Sequence, residues 1–236
     1  MKGFKQSLLA FTLCATTAST FALAATPSAT LMGMGGENFS AWADGMLPLY
    51  ANENKIAYID AQGQGSDTNA GMFSLGAGYR VAETQDNILG AYFFVDRERS
   101  SDNAYFTVLG PGVEKITPTW SYRLNGYVPI GNKKVLTSSG WASDFGYYDN
   151  VEFSGNTESD TYAYNYQKLG YGGDFSVGYH FVLDPRWEVA LSPYAYRMAD
   201  TNAMLGSKAQ INFFTSEHSE LFIGDGYDNK NHNRVF

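Results

Sequence analysis

Three segments between residues 72 and 129 alternate apolar and polar residues with a period of two, the repeat of a β-strand. Residues 72–81 (MFSLGAGYRV) set Phe73, Leu75, Ala77, Tyr79 and Val81 against Ser74, Gly76, Gly78 and Arg80. Residues 88–97 (ILGAYFFVDR) set Leu89, Ala91, Phe93 and Val95 against Gly90, Tyr92, Phe94 and Asp96. Residues 119–129 (TWSYRLNGYVP) set Trp120, Tyr122, Leu124, Gly126 and Val128 against Ser121, Arg123, Asn125 and Tyr127. The second face carries glycine, serine, asparagine and single charges, which are costly to bury in a dry core. Lipid on the apolar side and a wet lumen on the other satisfy both faces. The alternation therefore predicts an all-β fold, an antiparallel transmembrane β-barrel.

The same rhythm runs through the rest of the chain. Strands are expected at 39–50, 55–64, 172–183, 186–196, 208–214 and 219–225, separated by clusters of Asn, Asp, Gly and Ser that read as hairpin turns. Residues 141–171 are rich in Tyr, Asn, Asp and Gly and read as a longer extracellular loop with short strand ends. About 10–12 strands follow, at roughly ten residues per crossing. No apolar run approaches the ~20 residues of a spanning helix. The mean hydropathy of −0.27 is compatible with a membrane barrel, because half of each strand faces water.

The N-terminus predicts export. Lys2 and Lys5 form a positive lead, residues 8–14 (LLAFTLC) an apolar stretch, and Ala22-Leu23-Ala24 a small-x-small cleavage site. This divides the chain into a signal peptide (1–24), a small, Gly-rich flexible lead-in (25–38) and the barrel (39–236). Cys14 is the only cysteine and leaves with the signal peptide, so the exported chain has no disulfide and no thiolate chemistry. Closure of a barrel, which removes sheet edges, is then the expected source of stability. The formal net charge is −8, without the basic clusters of a nucleic-acid footprint.

Polar positions on the predicted lumen faces are the candidate site residues: Arg80, Asp96, Glu114, Arg123, Asn125, Asp174, His180, Arg186 and Glu188. Charges of both signs inside a barrel pair with one another, and a structural salt-bridge network is one reading. A surface that grips a translocating linker, or lines a pore, is the other. The glycines at 76, 78, 110 and 112 sit between no strand and helix, so no phosphate loop is expected. They leave room for large neighbours such as Tyr92 and Phe94 to pass close to the wall. Of the histidines, His180 is placed in the lumen and His218 and His232 near turns. No activated nucleophile, acid–base pair or metal-ligand spacing can be assembled from them, so neither enzyme activity nor a cofactor nor a metal is expected.

The segments LPLY (47–50), KIAYIDAQG (55–63) and SLGAGY (74–79), then G-x-x-x-F-x-D at Gly90, Phe94 and Asp96, resemble a known family. G-x-E at Gly112 and Glu114, and N-x-Y-x-P at Asn125, Tyr127 and Pro129, complete the order. The chain resembles the β-barrel domain of inverse autotransporters, the intimin/invasin group of bacterial outer-membrane proteins. Coverage is good over 46–129 and looser beyond.

That resemblance implies a barrel of about twelve strands whose lumen is plugged by the linker of a C-terminal passenger displayed as an adhesin. Only the anchoring and translocating half carries over, since the passenger is absent from this chain. It further implies a monomer in outer-membrane lipid, inserted by the barrel-assembly machinery. A stand-alone outer-membrane pore or structural barrel is the alternative. A soluble β-sandwich would bury Arg80, Asp96, Arg123, Asp174 and Glu188 on one face, at high cost. Residues 232–236 (HNRVF) supply about half of a spanning strand, so a truncated closing strand is expected.

Overall fold

The computed structural model describes residues 10–15, 27–34, 39–84, 86–100, 103–141, 152–154, 157–159, 162–198, 203–216, 219–229 and 232–235. The cleavage site at Ala22–Ala24, His218 and Phe236 lie outside the described residues. Among those described there is no helix. The strands are β1 (Ala10–Ala15), β2 (Ser28–Met34), β3 (Ser40–Asn52), β4 (Lys55–Ser66), β5 (Gly71–Thr84), β6 (Asn87–Arg99), β7 (Tyr105–Ile116) and β8 (Trp120–Ile130). They continue with β9 (Lys134–Trp141), β10 (Glu152–Ser154), β11 (Thr157–Ser159), β12 (Tyr162–Lys168) and β13 (Gly170–His180). The last four are β14 (Trp187–Met198), β15 (Met204–Ser216), β16 (Ser219–Asp228) and β17 (His232–Val235).

Every pairing is antiparallel, and each strand of the wall pairs with its neighbours in order from β1 to β8 and on through β13 to β16. Because β1 also pairs with β16, hydrogen bonding runs round a ring of 12 strands. The full-length strands β4 to β8 and β13 to β16 have 10 to 14 residues each, the length a tilted strand needs to cross a bilayer. Between β8 and β13 two separate two-stranded ladders form outside the wall, β9 with β12 and β10 with β11.

Register gives the wall its two faces. Phe73, Leu75, Phe93, Val95, Leu124, Val128, Phe175, Val189 and Leu191 are all exposed, Leu75 by 53% and Leu124 by 54%. Among the buried residues are Ser74, Glu114, Asn212 and Asp228 beside Ile56, Tyr58 and Phe106. Apolar outside and polar inside is the reverse of a water-soluble protein and fits a barrel in lipid.

The hairpin connections differ at the two ends. At one end lie the short connections from β3 to β4, β5 to β6, β7 to β8, β13 to β14 and β15 to β16. At the other lie the connections from β4 to β5, β6 to β7 and β14 to β15, and the long one from β8 to β13. Two long-loop-end turns repeat one design. Asn69 (φ 63°) and Asn103 (φ 60°) take the left-handed conformation that asparagine tolerates, and each donates its N–H to the carbonyl of a serine, Ser66 or Ser100.

Two segments differ from expectation. Ser28–Met34 falls in the stretch read as a flexible lead-in, yet it is strand β2, in register with β3 from Ser28↔Met46 to Met34↔Ser40. Small residues give weak strand signals alone, but a paired edge satisfies their backbone. Residues 181–183, read as the end of a strand, instead begin the turn before Trp187, with Leu183 fully exposed.

Candidate functional site

Inside the wall, one row of side chains crosses four strands at a single level. The ladder places Arg80 opposite Gly90, Gly90 opposite Glu114, and Glu114 opposite Arg123. Arg80 Nε donates to Glu114 Oε1 at 2.6 Å, and Arg123 Nε lies 3.5 Å from Glu114 Oε2. Glu114 is buried, its side chain only 2% exposed, while Arg123 remains half open to the lumen at 53%. The Arg80 guanidinium also sits 5.0 Å above the Tyr58 ring.

The contact between β5 and β7 exists because Gly90 has no side chain. A Cβ there would meet Glu114 Oε1 at 2.6 Å. One buried carboxylate held by two guanidiniums is satisfied electrostatically, which a lone buried charge is not.

One level toward the long-loop end lies a second set. Tyr92 donates its hydroxyl to Asn125 Oδ1 at 2.5 Å, and Asn125 Nδ2 donates to Asp174 Oδ1 at 2.8 Å. Tyr127 donates to Asp174 Oδ2 at 2.7 Å. Tyr92 lies across Gly112, where a Cβ would come within 2.2 Å of the ring, and Phe94 covers Gly76 in the same way. Both rings pass close to the wall over glycine, as the sequence suggested. Both carboxylate oxygens of Asp174 therefore have donors, and five strands are tied by side chains as well as backbone.

Of the remaining candidates, Asp96 faces inward, opposite Ser74, and lines a cavity of about 440 Å³ with Gln62, Arg80, Glu114 and Arg123. His180 and Glu188 are directly paired at the short-turn end, with His180 Nε2 3.8 Å from Glu188 Oε2 and the imidazole stacked on Phe214.

Arg186 is a correction. It was expected in the lumen but lies in the exposed 181–186 turn, where it donates to Asp184 at 2.9 and 2.8 Å and rests 5.6 Å from the outward Phe213 ring. The tight turn ends the alternation one residue before β14, so counting back from Trp187 assigns it the wrong face. In that turn the Arg186 guanidinium holds the Asp184 carboxyl below its ordinary range.

Sequence reasoning did not include Tyr58, Tyr92, Tyr127 or Gln62 among the site residues. Each could have been found by carrying the period-two faces along β4, β6 and β8. Tyrosine reads as apolar on composition, yet its hydroxyl here is a working donor.

The comparisons with known proteins agree with this architecture. The family described as "Inverse autotransporter, beta-domain" matches residues 32–196. A membrane protein solved in work on the mechanism of in-meso crystallization aligns with a TM-score of 0.65 at 18% identity, covering 89% of this chain and 79% of that one. The KdgM porin aligns with a TM-score of 0.50 at 8% identity, covering 89% of this chain and 95% of the porin. At such identities the likeness is one of fold. No curated protein sequence matches this one.

Proposed function

Since this chain belongs to the inverse autotransporter β-domain family, we propose that its lumen grips the extended linker of a passenger during and after export. The protein is an outer-membrane β-barrel of the anchoring and translocating type, and it works in outer-membrane lipid. The observation that carries the lumen's role is the Arg80–Glu114–Arg123 row beside the 440 Å³ cavity. Arg123 keeps guanidinium donors free toward the lumen, and Asp96 and Gln62 offer acceptors across the same space. An extended peptide carries unpaired N–H and C=O groups at every residue, and a wall with donors and acceptors of both signs can satisfy them without sequence preference.

The role is non-catalytic. His180 and Glu188, 3.8 Å apart and directly opposite in the ladder, act as a cross-strand pair of the wall. Residues 1–24 act as the export signal, the barrel-assembly machinery inserts the remainder, and the barrel works as a monomer.

A reporter domain fused after Phe236 through a flexible linker tests this. On intact cells the reporter should become sensitive to external protease. The double substitution of Glu114→Ala and Arg123→Ala should lower that surface fraction while folded barrel remains. A folded barrel that never exposes the reporter would favour the stand-alone pore.

A further inference from the structure

Charges on the outward face lie at its two ends. At the short-turn end Lys115 Nζ is 4.0 Å from Glu83 Oε2 and Arg186 is held by Asp184, while Lys55 has no carboxylate within ion-pair distance among the described residues. At the long-loop end the outward cations are Arg97, Arg99, Lys133 and Arg197. Among the described residues, no carboxylate lies within ion-pair distance of any of them. Asp67, in the 67–70 turn whose Asn69 carbonyl Arg99 contacts, accepts from the Phe39 N–H instead.

Neutral groups hold these cations. Arg97 Nη1 donates to Thr107 Oγ1 at 2.8 Å and its guanidinium lies 5.3 Å from the Tyr105 ring. Arg99 Nε donates to the Asn69 carbonyl at 2.8 Å and is opposite Tyr105 in the ladder. Lys133 Nζ sits 4.4 Å from the Tyr171 ring centre and contacts its hydroxyl, and Tyr171 is directly opposite Arg197. A guanidinium resting on a ring or a hydroxyl is fixed in place while its other N–H groups stay available to an anion.

The four cations fall on β6, on β14 and in the turn after β8, within the run of neighbouring strands β6, β7, β8, β13 and β14. They span roughly 20 Å at the ordinary strand spacing. Long loops mark the extracellular end of an outer-membrane barrel and short turns the periplasmic end. The unpaired cations therefore stand at the level of the outer-leaflet headgroups.

We propose that Arg97, Arg99, Lys133 and Arg197, with Tyr105 and Tyr171, form a binding site for the phosphate groups of the outer leaflet's phosphorylated glycolipid. The arginines would take phosphate oxygens through paired N–H donors. The inference rests on the outer-membrane placement of the barrel and adds its lipid specificity.

The test uses the full chain refolded into phosphatidylcholine vesicles, alone or with diphosphoryl lipid A, with the same lipid A dephosphorylated, or with phosphatidylglycerol at matched charge. The readout is the thermal unfolding midpoint. Diphosphoryl lipid A should raise it, and the dephosphorylated form and phosphatidylglycerol should raise it much less. The R97Q/R99Q/K133Q/R197Q variant should lose the rise, and K115Q at the opposite end should keep it.

An equal rise with phosphatidylglycerol, or an undiminished rise in the quadruple variant, would overturn the site. Should the quadruple variant not fold, R97Q/K133Q replaces it, and the wild-type comparison among lipids decides alone. A chain that fails to insert into phosphatidylcholine would instead sink the barrel reading itself.

Discussion

Glu114 Oε1 accepts a 2.6 Å hydrogen bond from Arg80 Nε although a whole strand, that of Gly90, lies between them. The reach is possible only over a glycine, so the ion pair and the missing side chain are one feature. Replacing Glu114 by Ala leaves two guanidiniums facing one another without a counter-charge. A fully buried pair broken in this way costs about 3–5 kcal/mol. Because Arg123 is half exposed, about 1–3 kcal/mol is expected here, measured by urea unfolding in lipid vesicles.

Gly112 supports a second prediction. A methyl group there collides with Tyr92 at 2.2 Å and displaces the hydroxyl that binds Asn125. Gly112→Ala should destabilise the barrel by about 1–3 kcal/mol. Gly63, with nothing within 4 Å of the same position, should accept alanine without loss.

The two faces of the wall can be separated by placing one charge on each. Phe93 is at the centre of β6 and 45% exposed on the apolar side. Phe93→Arg should cost about 2–4 kcal/mol, as expected near the bilayer midplane. Gln62→Arg, directed into the lumen opposite Asp44, should be much milder. Equal losses of folded protein in vesicles would contradict the assigned faces.

The seam of the ring makes a further prediction. β1 pairs with Ser219–Phe222 and β17 with Asp225–Asp228, so both lie along the same edge of β16 and run in the same direction. If residues 1–24 are removed on export, β1 goes with them, and the edges of β2 and of 219–222 lose their partner. Amides in those stretches should then exchange faster than those of β5 and β6 in a refolded 25–236 chain. A short apolar-alternating extension after Phe236, in register with β17, should restore their protection. Unchanged exchange on removal of residues 1–24 would show that the seam closes in another way.

The turn at 181–186 has its own pH signature. Arg186 holds the Asp184 carboxyl below its ordinary range. A depressed carboxylate contributes stability above the unfolded-state pKa and loses it as pH falls through the lower folded-state value. Carboxyl NMR should therefore show Asp184 titrating below a free aspartate, and Arg186→Gln should return it to the ordinary range. Because the pair lies in a turn at the surface and is screened by solvent, global stability should hardly change.

The two faces of the wall were legible in the sequence because Cβ atoms alternate sides along a strand. Period-two spacing alone thus put Phe73, Phe93 and Leu124 outside and Arg80, Asp96 and Arg123 inside. It also gave antiparallel hairpins, since short turns can join only such neighbours. The family resemblance came from motifs on those same strands.

Partner choice within the lumen was decided by tertiary structure. Arg80 meets Glu114, 34 residues away, because two strand registers bring them level and Gly90 lets them touch. Face assignment failed at Arg186, where a turn rather than a strand sets the side chain's direction. The weak signal of Ser28–Met34 became a strand only through its ladder with β3. Alternation is a local property of the backbone, whereas register, closure and the row of lumen charges depend on which strands lie side by side.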